Sequence, residues 1–379
     1  MQTEFVTDLA RIAPEAWDRL TGDDDPFVEH AFLLALEQTG CVGGGTGWAP
    51  LHVIVRQSGE LLAALPLYVK DHSYGEYVFD FAWAQAAVRA GIRYYPKLVA
   101  MVPFTPATGR RFLIAPGVAA QQAVSALLDG ALEALAKKRA SSVHLHFLNS
   151  AEAEWVKTDG RFSPRLASQF HWHNRGFADF EAHLATFRSA VRKEVRKERR
   201  RANENGIQVD VLEGPQLTAE AWGALSEFYF DTCAKHGSGP YLTPAFFRRI
   251  AHTHARRVVA VLARKEGEIV AGTLNFEKGK HLYGRYWGCS EHFDSLHFEL
   301  CYHRLIERAI ARGYQRFEAG AQGMHKLRRG LLPTPIHNAC YVADPRLAQA
   351  VGDFLLREER AVRMELAALN HHGPSHRDG

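Results

Sequence analysis

The clearest pattern along the chain is a change between helical and strand-like spacing of its apolar residues. Between Gln121 and Arg139 apolar side chains recur every three or four positions, which predicts an amphipathic helix. Ser142–Phe147 follows with the alternation that is typical of a strand. Apolar runs flank short Gly-containing turns at 51–70 and 257–277, and each pair of runs predicts a β-hairpin.

Both halves of the chain repeat one order of predicted elements. Each half has one or two helices, a hairpin, further extended segments and then a helix before a strand, at 121–147 and at 293–318. The sequence therefore predicts a mixed α/β (α+β) fold built from two duplicated units. The predicted boundaries are an N-terminal domain at 1–176, a C-terminal domain at 177–345, a last helix at 346–370 and a disordered polar tail at 371–379.

Composition bounds the class of protein without specifying a partner. The 379 residues are 46% hydrophobic and 23% charged, which is ordinary for a globular protein of two or three domains. A net charge of +4 does not by itself indicate a nucleic-acid or membrane partner, and no stretch approaches the roughly 20 apolar residues of a membrane span. Five scattered cysteines, without a CxxC pair, and an N-terminus without a signal-length apolar segment predict a cytoplasmic protein with buried thiols.

The short motifs of several enzyme classes do not occur. The 20 histidines include pairs at 144/146, 171/173 and 252/254, but none has a third ligand nearby in the sequence, and there is no HExxH. We therefore predict no metal site. GxSxG and the Rossmann fingerprint do not occur either, and no cysteine lies in a nucleophile motif.

The stretch Phe317–Lys326 places polar side chains and small residues at the end of a strand. Glu318 closes a short buried strand, glycine and alanine follow, and then come His325 and Lys326. Small residues allow a ligand to approach the backbone, and these polar groups suit acid/base chemistry or anion binding. From this pattern alone, a strand followed by a charged turn without a function is the default interpretation. The functional interpretation makes Glu318, His325 and Lys326 catalytic and Gln322 substrate-binding.

A strongly basic helix, 187–204, begins the second half. It carries eight basic residues and two acids between Arg188 and Arg201. A charge run of this kind is usually a solvated face. The alternative is a phosphate site, in which Arg192, Arg196 and Arg200 lie on successive turns and bind CoA or a tRNA backbone.

An aromatic-rich block, 74–104, contains the polar candidates of the first half. Such a block is core by default, but its Glu76, Asp80 and Lys97 are alternatively the lining of a substrate pocket. The same choice arises in the second half, where polar groups stand at a helix start beside a strand end. The substrate-binding candidates there are Tyr283, Arg285, His297 and Glu299.

Several motifs, taken as a set, resemble one family. They are Pro26-Phe27, His30-Ala-Phe-Leu33, Tyr74-Gly-Glu-Tyr-Val-Phe-Asp80, Tyr94-Tyr-Pro-Lys97, Val102-Pro-Phe-Thr-Pro106, His297-Phe-Glu299 and the 317–326 stretch. The set looks like the FemAB-like predicted N-acyltransferases of the GNAT superfamily, which are often labelled peptidoglycan-biosynthesis proteins. The resemblance extends over nearly the whole chain.

The resemblance implies two tandem GNAT-like domains and acyl transfer to an amine from a thioester or an aminoacyl-tRNA. It implies that Lys326 matches a Fem-like lysine tied to substrate phosphate or transition-state charge. Arg192 and Arg196 match the Arg-rich segment that starts the second domain. The chain departs from the pattern at 289–295, which lacks the glycines of a pyrophosphate-binding loop, and the helix at 187–204 is too short for a paired tRNA arm.

We therefore predict an N-acyltransferase without a tightly bound cofactor. It would use acyl-CoA or aminoacyl-tRNA as co-substrate and a small-molecule or peptidoglycan-precursor-like amine as acceptor. Glu318 or His325 would deprotonate the amine, while Lys326 and backbone N–H groups near 320–323 would stabilise an oxyanion or a phosphate. The polar candidates of the first domain would bind the acceptor. The alternative function is a non-catalytic GNAT-fold module that binds RNA or a phosphorylated ligand through the basic helix.

Overall fold

A computed structural model describes residues 1–204, 206–320, 323–371, 373 and 374. The strands are β1 (Gln2–Val6), β2 (Trp48–Pro50), β3 (His52–Gln57), β4 (Glu60–Leu65), β5 (Leu67–Lys70), β6 (Lys97–Ala100), β7 (Leu113–Ile114), β8 (Ser142–Leu148), β9 (Ser163–His173), β10 (Ile207–Glu213), β11 (Val258–Lys265), β12 (Glu268–Lys278), β13 (His281–Cys289), β14 (Arg316–Glu318) and β15 (Leu332–Val342). The helices are α1 (Pro14–Asp18), α2 (His30–Gln38), α3 (Phe81–Arg89), α4 (Ala120–Lys138), α5 (Ser150–Asp159), α6 (Phe180–Ala185), α7 (Ser189–Ala202), α8 (Ala219–Lys235), α9 (Pro244–Thr253), α10 (Leu296–Phe298), α11 (Arg304–Ala311) and α12 (Pro345–His371). Among the described residues, no helix combines the length and the apolar character needed to cross a membrane.

The chain divides into two compact units. Unit 1 consists of Met1–Ser168 and Pro335–Glu365, and unit 2 consists of Gln169–Thr334 and the segment from Leu366 onward. These limits differ from the predicted domain boundaries at 176 and 345. Residues 335–345 belong to unit 1 because the strand β15 pairs there with β8, and Ala339 is buried among apolar residues of that unit.

The predicted disordered tail also differs from the structure at its start. His371 still belongs to α12, and the carbonyl of Pro374 accepts a hydrogen bond from the backbone N–H of Arg188 at 2.9 Å. The rest of that prediction, at 372 and 375–379, lies outside the described residues.

Unit 1 is built on two series of paired strands. One runs in the order β1-β3-β4-β7 and includes the predicted first hairpin; the other runs β15-β8-β6-β5-β2, with β6 and β8 parallel. The amphipathic helix that the sequence predicts is α4. Its apolar stripe, including Leu127 and Leu128, is fully buried with Val53 of β3 and Leu145 of β8. Hydrophobic burial of this stripe is what attaches the helix to the sheet.

Unit 2 is organised around the strand order β10-β11-β12-β13-β14-β9. The strands β13 and β14 are parallel, and the helical segment 296–311 forms the crossover that such a pair requires. The sequence predicts one continuous helix there, but a π-helical turn, Glu299–His303, separates α10 from α11. A π-turn admits one extra residue per turn, so Tyr302 and His303 are both buried in succession. Such turns occur frequently at functional sites.

Candidate functional site

Lys326 is a buried ammonium beside the backbone of the glycine-rich stretch. Its side chain is 3% exposed, and its Nζ donates a hydrogen bond to the carbonyl of Gly320 at 2.8 Å. Burial lowers the pKa of Lys326 to about 8. The small residues predicted here have a conformational reason, because Gly323 has φ +118° and a Cβ on it would lie 2.4 Å from the ring of His325. Lys326 is thus a cation near neutral pH that releases its proton far more easily than an ordinary lysine.

His325 is exposed and belongs to a group of aromatic side chains. Its Nε2 and the hydroxyl of Tyr302 are 2.8 Å apart, and the rings of His297 and Phe298 each lie 5.8 Å from its own ring. Burial, and then the charges of Arg329 and Lys326, lower the pKa of His325. At neutral pH the imidazole is therefore uncharged and able to accept a proton.

His297 supports the same group from the start of the helical segment. Its ring packs against Trp287 at 5.1 Å and Tyr302 at 5.5 Å. Burial is the main cause that lowers the pKa of His297 to about 4, so it is neutral at pH 7. The structure thus brings together His297, His325 and Tyr302, the last of which belongs to the π-helical turn.

An arginine that the sequence reasoning missed holds the backbone of His325. Arg329 forms a two-pronged ion pair with Glu198, donates a hydrogen bond to the carbonyl of His325 at 2.6 Å, and lies 3.4 Å over the ring of Phe298. Glu198 also contacts His303 at 3.1 Å. The only sequence signal for this pair was that Glu198 is one of two acids in a basic helix, three positions after the buried Val195.

Glu318 is placed by strand register between two neighbouring strands. It lies opposite Tyr283 of β13 on one side and His171 of β9 on the other. Its carboxylate is 3.0 Å from the guanidinium of Arg316 and 3.6 Å from Nε2 of His171, and the residue is 2% exposed. Burial holds the pKa of His171 well below its ordinary value, so His171 is neutral. Of the two neighbours of the Glu318 carboxylate, Arg316 is therefore the one that carries a positive charge. Glu318 is therefore an ion-paired carboxylate inside the sheet.

Glu299 links the basic helix α7 to the helical segment. It is fully buried, 3.2 Å from the guanidinium nitrogens of Arg199 and 2.8 Å from Arg304. A carboxylate held by two arginines in the interior has no acceptor capacity to spare. The contacts of Glu299 thus resemble those of a structural ion pair.

The basic residues proposed for phosphate binding also have contacts within unit 2. Arg192 donates hydrogen bonds to the carbonyls of Ala185 and Phe187, each at 3.3 Å, and Arg196 contacts Glu181 at 2.5 Å. Arg285 lies over the ring of its neighbour Tyr286 at 5.1 Å. Gln322, the remaining candidate of this unit, lies outside the described residues.

In unit 1 the structure brings Glu76, Asp80 and Lys97 into one buried network. The Nζ of Lys97 is 2.8 Å from Glu76 and 3.1 Å from the hydroxyl of Ser73, and it also contacts Asp80. The hydroxyl of Tyr94 donates to Asp80 at 2.5 Å. Burial alone would raise the pKa of Asp80, but the charge and hydrogen bond of Lys97 hold it well below its ordinary value. Asp80 is therefore charged, and both carboxylates are paired with Lys97.

A second lysine, which the sequence reasoning did not single out, extends this network. Lys70 is fully buried, 3.7 Å from Glu76 and 3.7 Å over the ring of Trp48, and it donates a hydrogen bond to the carbonyl of Tyr74 at 2.8 Å. Burial lowers the pKa of Lys70 to about 7, although Glu76 opposes this. The three predicted candidates and Lys70 are each at most 1% exposed. These contacts connect the segment 70–80 to Lys97 in the interior of unit 1.

Neither unit presents a metal site in the part of the chain that the structure describes, where no group of three or more His, Cys, Asp or Glu side chains is suitably placed. The histidine pair 144/146 lies beside the network, with His146 3.5 Å from Glu76 and His144 3.9 Å from Asp80. Burial is the main cause that holds the pKa of each histidine below its ordinary value.

Solved structures with a similar fold define the class of this protein. FemX is 13% identical over 93% of this chain and 100% of its own, with a TM-score of 0.54. The C-terminal domain of a putative lysylphosphatidylglycerol synthetase from Agrobacterium fabrum is 12% identical over 89% and 94%, with a TM-score of 0.52. A conserved protein of unknown function from Bacteroides thetaiotaomicron is 11% identical over 90% and 100%, with a TM-score of 0.55. These likenesses concern the fold, and they confirm the predicted mixed α/β class. The GNAT-like character of the two units stays a prediction.

The family follows from the sequence itself. The FemAB-like family model, described as peptidoglycan biosynthesis/recognition, matches residues 8–377, so the chain belongs to this family. The resemblance drawn from the motifs is thereby confirmed, and the class of activity is that of a transferase. No curated protein sequence is significantly similar to this chain.

Proposed function

We propose that this protein is an N-acyltransferase that transfers an acyl or aminoacyl group from acyl-CoA or aminoacyl-tRNA to an amine, with its chemistry at His325 and Lys326. The carrying observation is that an accessible neutral imidazole and a buried ammonium follow each other on a turn with unusual backbone geometry. Family membership supports a transferase, and these two groups supply the base and the cation that acyl transfer requires. The acceptor in this proposal is a small amine or one like a peptidoglycan precursor.

The reaction needs one proton acceptor and one stabiliser of negative charge. The acceptor amine loses a proton to His325 as its nitrogen attacks the donor carbonyl. Negative charge then develops on the carbonyl oxygen and is stabilised by the ammonium of Lys326. Collapse of the tetrahedral intermediate breaks the bond to the thiolate of CoA or the ribose oxygen of tRNA, and the protonated imidazole returns its proton to that leaving group. Atoms and charge balance without a further reactant.

His325 is preferred to Glu318 as the base because of exposure and pairing. Glu318 is 2% exposed and paired with Arg316, whereas His325 is exposed and uncharged near pH 7. We expect His325→Ala to lower kcat by about 10²- to 10⁴-fold. Steady-state transfer kinetics with the donor identified below are the measurement.

The matched control is Glu318→Gln, which keeps the shape of the side chain inside the sheet. We expect it to change kcat less than His325→Ala does. Equal losses in both variants, or a loss in Glu318→Gln alone, would reverse this assignment of the base.

The donor is identified by mass spectrometry of small molecules and RNA that remain bound after native purification. Retained CoA species support a thioester donor, and retained tRNA supports an aminoacyl donor. Single-turnover transfer from the retained donor to a panel of amines then tests the reaction itself. If no donor supports transfer to any amine, the proposed activity is wrong.

A non-catalytic RNA- or phosphate-binding module is the second candidate, favoured by the exposed basic residues of α7. Lys193, Lys197, Arg200 and Arg201 are exposed, and these lysines and arginines have no ion pair with the residues that the structure describes. We expect tRNA binding, measured by filter binding, to weaken steeply with salt, and Lys197→Glu with Arg200→Glu to abolish it.

Arg11→Glu is the control for that experiment, because it reverses an exposed charge of unit 1. Salt-dependent RNA binding together with normal turnover in the α7 double variant separates RNA binding from catalysis. If tRNA binding changes neither with salt concentration nor with charge reversal on α7, a phosphate-binding role for α7 is wrong.

A further inference from the structure

The segment that leads into α3 reverses the usual arrangement of side chains. Glu76 and Asp80 point inward and are at most 1% exposed, whereas Tyr77 and Phe79, which alternate with them, are 36% and 55% exposed. Burying charges while exposing aromatic rings is unfavourable for folding. An arrangement with this disadvantage suggests that the outer face has a partner.

The exposed apolar side chains of the chain are concentrated on this face. Of the nine large hydrophobic residues exposed among the described ones, five belong to residues 74–88. These five are Tyr74, Tyr77, Phe79, Phe81 and Val88. The ring of Phe81 lies 5.4 Å from that of Tyr74 and 6.1 Å from that of Phe79, so the three rings form one patch. We call the five residues the aromatic face.

The aromatic face is held rigidly from below. Lys97 pairs with the inward carboxylates, and the carbonyl of Phe79 accepts a hydrogen bond from Arg165 at 2.8 Å. On α3, Trp83 and Ala87 are buried against the apolar cluster of α12, which directs Phe81 and Val88 outward. The rings therefore cannot turn inward without breaking buried ion pairs or leaving the core.

Exposed arginines follow the aromatic face along the chain, and the Arg165 that contacts Phe79 is paired with Glu358. No Asp or Glu occurs between Phe81 and Leu128, and Arg89 and Arg93 are both exposed. Arg93 also donates a hydrogen bond to the carbonyl of Arg139, just after α4, at 2.7 Å. Asp71 is an exposed acid just before the segment. The combination of aromatic rings, one aliphatic side chain and arginines fits the boundary between lipid headgroups and acyl chains.

We propose that the aromatic face is a peripheral docking site for an anionic phospholipid surface. The rings of Tyr74, Phe79 and Phe81 enter the interfacial region, and Arg89 and Arg93 pair with lipid phosphates. A lipid surface is favoured over a protein partner because the patch is aromatic and exposed arginines follow it, while the carboxylates of the segment are turned inward. All five residues of the aromatic face belong to unit 1, whereas His325 and Lys326 of the catalytic proposal belong to unit 2.

The test is vesicle co-sedimentation of the full chain at two salt concentrations. Vesicles of phosphatidylcholine with phosphatidylglycerol are compared with phosphatidylcholine alone. We expect binding to the anionic vesicles that weakens with salt. Phe79→Ser with Phe81→Ser should reduce the partition coefficient about tenfold or more. Arg89→Gln with Arg93→Gln should reduce it and flatten its salt dependence.

The matched control is Leu356→Ser with Met364→Ser, which removes two apolar side chains that are 59% and 73% exposed on α12 of the same unit. We expect this control to bind vesicles within about twofold of the original chain. A larger loss would mean that vesicle binding depends on exposed apolar residues in general and not on the aromatic face. Circular dichroism melting verifies that each variant is folded.

Three outcomes would overturn the proposal. The first is that the unchanged protein does not bind anionic vesicles, and the second is that the aromatic double variant binds them equally well. The third is that the unchanged protein does not bind vesicles but shows concentration-dependent self-association by light scattering, which is lost in the aromatic double variant. That result would assign the face to a second copy of this chain.

Discussion

Replacing Lys97 with methionine is expected to lower the free energy of unfolding of this protein by about 3–5 kcal/mol at pH 7. Lys97 is fully buried and is the cation that contacts both Glu76 and Asp80. Methionine keeps the length of the side chain but leaves two carboxylates in the interior with less compensation. Lys70, 3.7 Å from Glu76, still supports one of them, which limits the loss. Urea denaturation followed by tryptophan fluorescence is the measurement.

The pH dependence of this loss separates charge pairing from simple packing. Lys97 holds the pKa of Asp80 well below its ordinary value. The pair therefore stabilises the folded state fully above pH about 4, and this stabilisation is lost only as the pH falls below that value. In the variant, the buried Asp80 has lost its cation and takes up a proton as the pH falls from 7 towards 4. Protonation removes the unpaired charge, and with it the cause of the destabilisation. The difference between the two proteins should therefore be largest near pH 7 and shrink towards pH 4. A difference that is constant with pH would indicate a packing defect.

Lys157→Met is the control for the stability measurement. Lys157 and Glu154 form an exposed pair at 3.8 Å in the same unit, with side chains 71% and 72% exposed. Exposed pairs of this kind contribute little, so we expect a change below about 0.5 kcal/mol. A loss in Lys97→Met no larger than that of this control would show that the network is not a stabilising element.

The second large effect concerns Lys326, whose removal is expected to reduce the transfer rate about 10²- to 10³-fold, as for the loss of one oxyanion donor. Since burial lowers its pKa to about 8, the ammonium form, which the mechanism requires, disappears as the pH rises through 8. We therefore expect kcat/KM of the unchanged enzyme to fall above that pH. A lysine that acted as a base would produce the opposite slope.

Two variants complete this test. Lys326→Arg keeps the positive charge at every accessible pH, so any remaining activity should lose its alkaline decline. Lys326→Met should show that loss of rate yet be more stable at pH 7 by about 1–3 kcal/mol, because the folded-state pKa of Lys326 lies below the unfolded value of about 10.5. The cost of burying the charge is present below pH 8 and vanishes between about pH 8 and 10.5. An inactive Lys326→Met that is strongly destabilised would point to a structural lysine instead.

The combination of lost activity and gained stability is characteristic of functional groups held in unfavourable surroundings. Lys97 and Lys326 contrast in this respect. Lys97 is buried with two carboxylates, whereas the Nζ of Lys326 has the carbonyl of Gly320 as its acceptor at 2.8 Å. Both are lysines of similar burial, and their different partners are the reason that we expect a stabilising role for Lys97 and propose a catalytic one for Lys326.

Much of the fold could be predicted because its signals are local. The apolar stripe of α4, both hairpins and the strand β8 follow from spacing over a few residues. The π-turn at Glu299–His303 could not, because its residues have an ordinary helical pattern and only the packing of Tyr302 and His303 selects the wider turn. The assignment of residues 335–345 to unit 1 depends on a strand pairing with β8, far away in the chain.

The candidate site divides in the same way. The sequence by itself determined the order of elements, the family and the residue types of the 317–326 stretch, because periodicity and motifs are properties of neighbouring residues. Only the tertiary structure decided that Glu318 pairs with Arg316 between two strands and that His325 faces Tyr302. It also decided that Lys97 is enclosed by acids from another segment. Exposure and pKa depend on charges and atoms brought close by folding, and distance along the chain carries no information about them.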